Sequence, residues 1–344
     1  MTSSKSAAKP VAKPTGAGIT GLVGDIGGTN ARFALAHAGP DGIRVHSVKV
    51  LQAAEYPTAV GALKAYLCEI PAKDRPSLAV IAAAGPITRG AVEFTNNTKW
   101  RFSEAGLVKS TELKRVRLIN DFTAQALALE HLKPKGLHLI GPKGGATPAD
   151  GAMVVMGPGT GFGAGALIVD GEHRSTITGE GGHTNFAPGD VVELEILRRL
   201  AQRFDPVSIE HVLSGPGLRN LYQTLGEIGG EPTPLTDPAE ITKAALDGCP
   251  LSRLALERFC AILGSVAGDF ALAFGAKKGV YISGGIAPAI LKVLDTSDFR
   301  ARFEHKDRMS DYLKPIPTRV VLEPHSALIG AASLLKGMAG GAAG

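Results

Sequence analysis

Residues 19–36 read Ile19-Thr20-Gly21-Leu22-Val23-Gly24-Asp25-Ile26-Gly27-Gly28-Thr29-Asn30-Ala31-Arg32-Phe33-Ala34-Leu35-Ala36. Both flanks are apolar. The middle holds one carboxylate, two glycines and two short hydrogen-bonding side chains. An apolar run, a glycine turn and a second apolar run predict a β-hairpin, with strands over 19–26 and 32–36. The arrangement returns once. Residues 152–156 predict a strand, Gly157-Pro158-Gly159-Thr160-Gly161-Phe162-Gly163 a glycine turn, and 164–169 a second strand. A hairpin repeated at roughly a domain's spacing predicts an internal duplication, and hence two related α/β lobes.

The other elements fit that frame. Residues 59–67 suit a helix, 78–83 a buried strand and 115–119 another strand. The last of these feeds Asn120-Asp121, which sit at a strand-to-helix junction before the helix-favouring 124–131, since Asn and Asp are good helix caps. Asp190 with Glu193 resembles a capping box opening an amphipathic helix, with Leu194, Leu197, Ala201 and Phe204 on one stripe. A long helix is expected over about 251–274, with Leu256, Phe259, Leu263, Val266 and Phe270 at core spacing. A strand over 280–283 ends in Gly284-Gly285, and a final helix begins near Ser326.

At 344 residues, with a 44% hydrophobic fraction, the chain is long enough for two domains and too apolar to be largely disordered. Its 44 glycines follow no collagen period, so they need a local explanation. Cys68, Cys249 and Cys260 are too few and too scattered for a disulfide framework or a metal pair; they suit a cytoplasmic location, as small buried apolar residues. The most apolar long stretch, 261–276, is interrupted by Asp269 and is too short to cross a bilayer, so no membrane partner is expected. Residues 1–18 have no apolar signal core and read as a flexible tail. The net charge of +5 and pI near 9.0 invite a nucleic-acid reading. However, Lys5, Lys9 and Lys13 all lie in that acid-free tail, and the remaining basic residues form short pairs, not a cluster. No nucleic-acid partner is expected.

Several stretches carry chemistry. The Asp25–Asn30 turn can aim backbone N–H groups at an anion, with Asp25 holding magnesium through water; it also reads as a plain hairpin turn. The second turn fits G-x-G-x-x-A through Gly159, Gly161 and Ala164, with Glu180 about 20 residues on. A dinucleotide loop opens a helix, whereas this one returns into a strand. A Walker A loop is excluded, because no Gly-Lys pair occurs. Asp121, at a helix N-terminus, stays ionised in the helix dipole and can take a proton from an attacking hydroxyl; Asn120-Asp121 also reads as an ordinary cap. Glu180-Gly181-Gly182-His183 and Glu210-His211 offer carboxylates suited to vicinal sugar hydroxyls. Their plainer readings are a structural histidine and a first-turn acid. A zinc site would need a third close ligand, and no such spacing is present.

The order of these pieces carries a resemblance. Asp25 to Asn30, Leu118-Ile119-Asn120-Asp121-Phe122, Gly157 to Gly163, Glu180-Gly181-Gly182-His183-Thr184-Asn185-Phe186-Ala187-Pro188, Leu213-Ser214-Gly215-Pro216-Gly217-Leu218 and Ile282-Ser283-Gly284-Gly285-Ile286-Ala287-Pro288 follow one another in that sequence. This resembles the bacterial glucokinase family, over about 19–337. The resemblance implies a two-lobed actin-like ATPase (ribonuclease H-like) α/β fold with a cleft between the lobes: a small domain over 19–131 plus 323–340 and a large one over 132–322. It implies ATP with Mg2+, D-glucose as acceptor, glucose 6-phosphate for glycolysis, a homodimer and a cytoplasmic location.

Carried over by position, the resemblance makes Asp121 the catalytic base. It makes Asn120, Glu180, His183 and Glu210 glucose ligands, with Gly161 lining the sugar site and Asn96 near it. The phosphate contacts fall on Asp25, Gly27, Gly28, Thr29 and Asn30 in the first turn and on Gly159 and Thr160 in the second, the adenosine contacts on Gly284 and Gly285, and the magnesium on Asp25. Where the family often has Arg after Gly-Gly-Ile-x-Pro, this chain has Ala289. The related ROK kinases carry a Cys-rich zinc motif that is absent here. Rival readings are a kinase for mannose or fructose, a ROK-like sugar-sensing regulator and an NAD-dependent dehydrogenase. The regulator needs a helix-turn-helix that residues 1–18 are too few to build.

Overall fold

The structure, a computed structural model, describes residues 18–94 and 100–340. It divides into two compact units. The first comprises the described residues up to Ala124 and those from Ala327 onward; the second is Gln125–Ser326. Residues 1–17, most of the expected tail, and Asn96 lie outside the described residues.

The first unit opens with β1 (Ile19–Ile26), β2 (Asn30–Gly39) and β3 (Gly42–Gln52) as an antiparallel meander. Helix α1 (Ala59–Cys68) follows, its N-terminus capped by the Thr58 hydroxyl, which accepts the Gly61 N–H at 3.0 Å. Next come β4 (Leu78–Ala83), a small antiparallel pair of β5 (Ala91–Glu93) and β6 (Arg101–Ser103), α2 (Glu104–Ser110), β7 (Arg115–Asn120) and α3 (Asp121–Ala128). The sheet order is β3-β2-β1-β4-β7, with β1, β4 and β7 parallel. Strand β4 is a continuous apolar run because it is covered on both faces, as a central parallel strand must be. Phe33 and Tyr66 pack in this unit's core with ring centroids 5.7 Å apart.

The second unit contains β8 (Leu137–Ile140), β9 (Gly151–Pro158), β10 (Phe162–Asp170), β11 (His173–Gly179), α4 (Val191–Leu200), α5 (Gly215–Gly229), α6 (Pro238–Leu246), α7 (Pro250–Phe274), β12 (Gly279–Ile282) and β13 (Thr318–Val321). Its sheet order is β11-β10-β9-β12-β13-β8. Strands β9, β10 and β11 are antiparallel neighbours, and β9, β12 and β13 are parallel. The order 3-2-1-4-5 of the first sheet is therefore repeated, with β8 added antiparallel at the edge. The duplication read from the two glycine hairpins is a duplication of topology. Helix α7 runs through the core, burying Leu256, Phe259 and Leu263 with Phe299 and Phe303. Among the described residues no helix is long and apolar enough to cross a membrane.

Two local expectations need correction. In α4 the buried residues are Glu193, Ile196 and Leu200, while Leu194 is 57% exposed; the expected stripe faces outward at that position. The cause is Glu193, a fully buried acid held by Arg258 at 3.0 Å and Arg302 at 2.9 Å. The capping box is also only half formed. Asp190 accepts the Glu193 N–H at 2.8 Å, but the Glu193 carboxylate accepts from Gly189 and the two arginines. Of the cysteines only Cys260 is buried; Cys68 is exposed.

Candidate active site

In the first unit the turn between β1 and β2 is closed by Gly27 N–H donating to the Asn30 carbonyl at 2.9 Å, while the Thr29 carbonyl accepts from Ala53 at 2.9 Å. Among the described residues the N–H groups of Gly28 and Thr29 meet no protein acceptor. They are the donors an anion would take. Asp25 lies directly across the ladder from Arg32, whose guanidinium donates to its Oδ2 at 3.0 Å. Burial pushes the Asp25 carboxyl up from its ordinary value, and the Arg32 charge opposes that shift. Sequence reading missed Arg32. The hairpin register was the available signal, since pairing Ile26 with Ala31 puts residue 32 opposite residue 25.

Asn120 ends β7 and caps α3. Its Oδ1 accepts the N–H groups of Phe122 at 2.8 Å and Thr123 at 3.2 Å, and its Nδ2 donates to the Gly85 carbonyl at 3.2 Å. The capping reading is therefore correct for Asn120; a ligand would be left the second proton of its amide nitrogen. Asp121 is the first residue of α3, where the helix dipole favours the anion, and its Oδ1 accepts the Phe122 N–H at 2.9 Å.

In the second unit the β9–β10 turn is Gly159-Thr160-Gly161. Gly159 N–H donates to the Gly161 carbonyl at 2.7 Å, and the Gly159 carbonyl accepts from Gly215, the first residue of α5, at 2.8 Å. Among the described residues the N–H groups of Thr160 and Gly161 have no protein acceptor. Both hairpins thus end in turns that present unused donors. Glu210 sits in a one-turn helix (Ile209–His211), and its Oε2 accepts the Phe162 N–H at 2.8 Å. A Cβ at Gly161 would lie 2.4 Å from that oxygen, so the close approach requires glycine. Among the described residues Oε1 of Glu210 has no partner.

Glu180 precedes the short turn Gly181–His183, makes no side-chain cap, and is exposed, as is His183. Neither side chain has a hydrogen-bond or ion-pair partner among the described residues. The segment that carries them is tied to the Glu210 segment by backbone bonds. Phe186 donates to Val207 at 3.0 Å and Ile209 donates to Thr184 at 2.9 Å. Gly284, with φ +91°, lies against the end of β9, where a Cβ would stand 2.6 Å from the Pro158 carbonyl oxygen. A Cβ at Gly285 would meet nothing within 4 Å. The fold of this unit therefore brings Gly284, Gly159, Thr160, Gly161 and Glu210 around one turn.

Among the described residues no group of three or more His, Cys, Asp or Glu could enclose a metal. Magnesium does not need one, because it commonly keeps waters and is held by one or two carboxylates plus substrate phosphates. A single half-buried carboxylate, Asp25, with Arg32 on its Oδ2 and a turn with N–H donors that meet no acceptor among the described residues beside it, fits an ion that arrives with a nucleotide and is held through water.

A repeated unit of three antiparallel strands leading into parallel ones, each hairpin closed by a donor-rich glycine turn, is the actin-like two-domain ATPase fold. The chain belongs to the glucokinase family: the family model described as Glucokinase matches residues 22–338. The chain is 51% identical over 315 residues to the glucokinase of Caulobacter sp. (strain K31), covering 91% of this chain and 94% of that protein. It superposes on the crystal structure of a glucokinase from an Antarctic psychrotroph with TM-score 0.83 and 35% identity, over 92% of this chain and 99% of that one. A glucokinase from Balamuthia mandrillaris, solved in complex with glucose, shares the fold with TM-score 0.73 at 19% identity, covering 93% of this chain and 94% of that one.

Proposed function

We propose that this chain is an ATP-dependent hexose kinase that transfers the γ-phosphoryl group of ATP to the 6-hydroxyl of D-glucose, giving glucose 6-phosphate for glycolysis. The observation that carries the reading is the placement of Glu210. One oxygen of its carboxylate is committed to the Phe162 N–H beside the Thr160 turn, and the other is left for a ligand. A sugar-binding acid is thereby fixed to a phosphate-type turn.

The roles follow from the chemistry of each group. Glu180 and Glu210 accept hydrogen bonds from sugar hydroxyls, and His183 adds a ring nitrogen. Asn120 offers its remaining amide proton. Gly161 keeps the space beside Glu210 open. Asn96, which the resemblance puts near the sugar, lies outside the described residues. The N–H groups of Gly28 and Thr29, and of Thr160 and Gly161, receive phosphate oxygens. Gly27, Asn30 and Gly159 shape those turns, and Gly284 and Gly285 leave room for the adenosine. Asp121 accepts the proton of the 6-hydroxyl as its oxygen bonds to the γ-phosphorus and the bond to ADP breaks. Positioning and electrostatics supply most of the acceleration in such transfers. Magnesium, when bound, neutralises charge on the phosphates; Asp25 is the residue that would hold it, through water.

We further propose that the protein acts in the cytoplasm as a homodimer, as the resemblance of its motifs implies. The test is ADP release with glucose, mannose and fructose as acceptors. Fastest turnover on glucose is expected. A better rate on another hexose overturns the glucose assignment, and no ATP consumption with any sugar overturns the kinase.

A further inference from the structure

His211 has no role in the reading above, yet its side chain is the most tightly specified in the sugar segment. Its ring stacks on Phe204 with centroids 3.9 Å apart and planes 14° apart. Its Nδ1 accepts the backbone N–H of Ser208 at 3.0 Å, with the Ser208 hydroxyl 3.2 Å away. A backbone N–H can only donate, so Nδ1 carries no proton and the neutral ring is protonated on Nε2. The ring therefore caps the start of the one-turn helix Ile209–His211. The backbone on both sides of it is also held. The Glu210 carbonyl accepts from the Ser214 hydroxyl at 2.7 Å and the His211 carbonyl from Asn220 at 2.9 Å.

We infer that His211 is a positioning residue for Glu210: its neutral imidazole holds the turn that aims the Glu210 carboxylate, so sugar affinity falls when the ring is protonated. A helix of one turn has almost no stability of its own, and its end depends on such a side-chain acceptor. Protonation puts a second N–H where the Ser208 N–H needs an acceptor, and two donors then face each other. The charged groups around the ring are Glu210, which favours protonation, His183, which opposes it, and Arg203, which lies over the far partner Phe204 at 5.7 Å from that ring's centroid. Burial comes first among these influences and holds the His211 pKa below its ordinary value, so the neutral acceptor form dominates near neutral pH.

This inference rests on Glu210 being a sugar ligand, and the experiment separates the two claims. The KM for glucose and the KM for ATP are measured between about pH 8 and about pH 5, the range that spans histidine titration, for the wild type, His211→Asn, His211→Phe and Glu210→Gln. Asparagine offers an oxygen near the position of Nδ1 and does not titrate; phenylalanine keeps a ring on Phe204 and offers no acceptor. Loss of the acceptor is expected to raise the glucose KM of His211→Phe about tenfold above the wild type near pH 8, a gap that closes toward low pH as the wild-type ring protonates, with the ATP KM unchanged. The wild-type glucose KM should rise toward low pH, and His211→Asn should keep the low value and flatten that rise. An unchanged glucose KM in His211→Phe, or the full wild-type rise persisting in His211→Asn, overturns the inference. An unchanged glucose KM in Glu210→Gln overturns the sugar-site reading instead.

Discussion

The carboxylate of Glu210 and the backbone N–H of Phe162 are hydrogen-bonded at 2.8 Å, although 48 residues separate them in the chain. This bond ties a side chain from the segment after α4 to the first residue of β10. Gly161, immediately before Phe162, is what permits it. Gly161→Ala would put a methyl 2.4 Å from Oε2 and displace the carboxylate. Overpacking of this kind costs about 1–3 kcal/mol, so a fall in kcat/KM for glucose of roughly tenfold to a hundredfold is expected from steady-state kinetics. Wild-type kinetics in this variant would sink the argument.

Asp121→Asn tests the base without disturbing the helix start. The amide oxygen can still accept the Phe122 N–H that Oδ1 accepts now. The expected loss is in kcat, by about a hundredfold to ten-thousandfold, with Tm and glucose binding by calorimetry close to wild type. Near-normal turnover would remove Asp121 from the chemistry.

Glu180 is exposed and has no side-chain partner among the described residues, so Glu180→Gln should leave Tm unchanged. Its carboxylate is assigned to the sugar, and charged hydrogen bonds are worth about 1.5–3 kcal/mol. The glucose KM should therefore rise by at least about tenfold. An unaltered KM would exclude Glu180 from the sugar contacts.

The Asp190–Glu193–Arg258–Arg302 cluster should dominate the response to mutation near α4. Glu193→Ala leaves Arg258 without its 3.0 Å partner and Arg302 without its 2.9 Å partner. Breaking a buried pair from one side costs about 3–5 kcal/mol, visible as a lower denaturation midpoint. An unshifted midpoint would mean that water or Asp190 alone satisfies both arginines.

The same cluster predicts an acid response. Burial pushes the Asp190 carboxyl up, but the Glu193 N–H, Arg258 and Arg302 outweigh it and hold the group below its ordinary value. A group whose pKa is lowered on folding contributes stability above its unfolded value, and that contribution is lost as pH falls through the folded value. Tm should thus drop more steeply below about pH 4 in the wild type than in Asp190→Asn. Asparagine keeps the helix cap and removes the charge. Parallel curves would show that Asp190 is not part of the acid response.

Most elements were legible because they depend on neighbouring residues. Strand β4 and helix α7 were found within a residue or so of their ends, from an unbroken apolar run and from regular apolar spacing. The inward face of α4 was not, since a glutamate reads as a surface residue in any periodic pattern. Its partners lie 65 and 109 residues further on, beyond any local window. Arg32 was overlooked for a smaller reason: its contact with Asp25 becomes visible only once the hairpin register is known.

Local chemistry was sufficient to set down two glycine-closed hairpins, their duplication and the acids on offer, because turns, caps and apolar runs are chosen by residues close in sequence. Folding in three dimensions had to decide what each acid does. It committed one oxygen of Glu210 to Phe162 and left the other without a partner among the described residues, buried Glu193 between two arginines, and used Asn120 as a helix cap. These outcomes depend on which distant groups arrive at hydrogen-bonding distance, and no stretch of neighbouring residues carries that information.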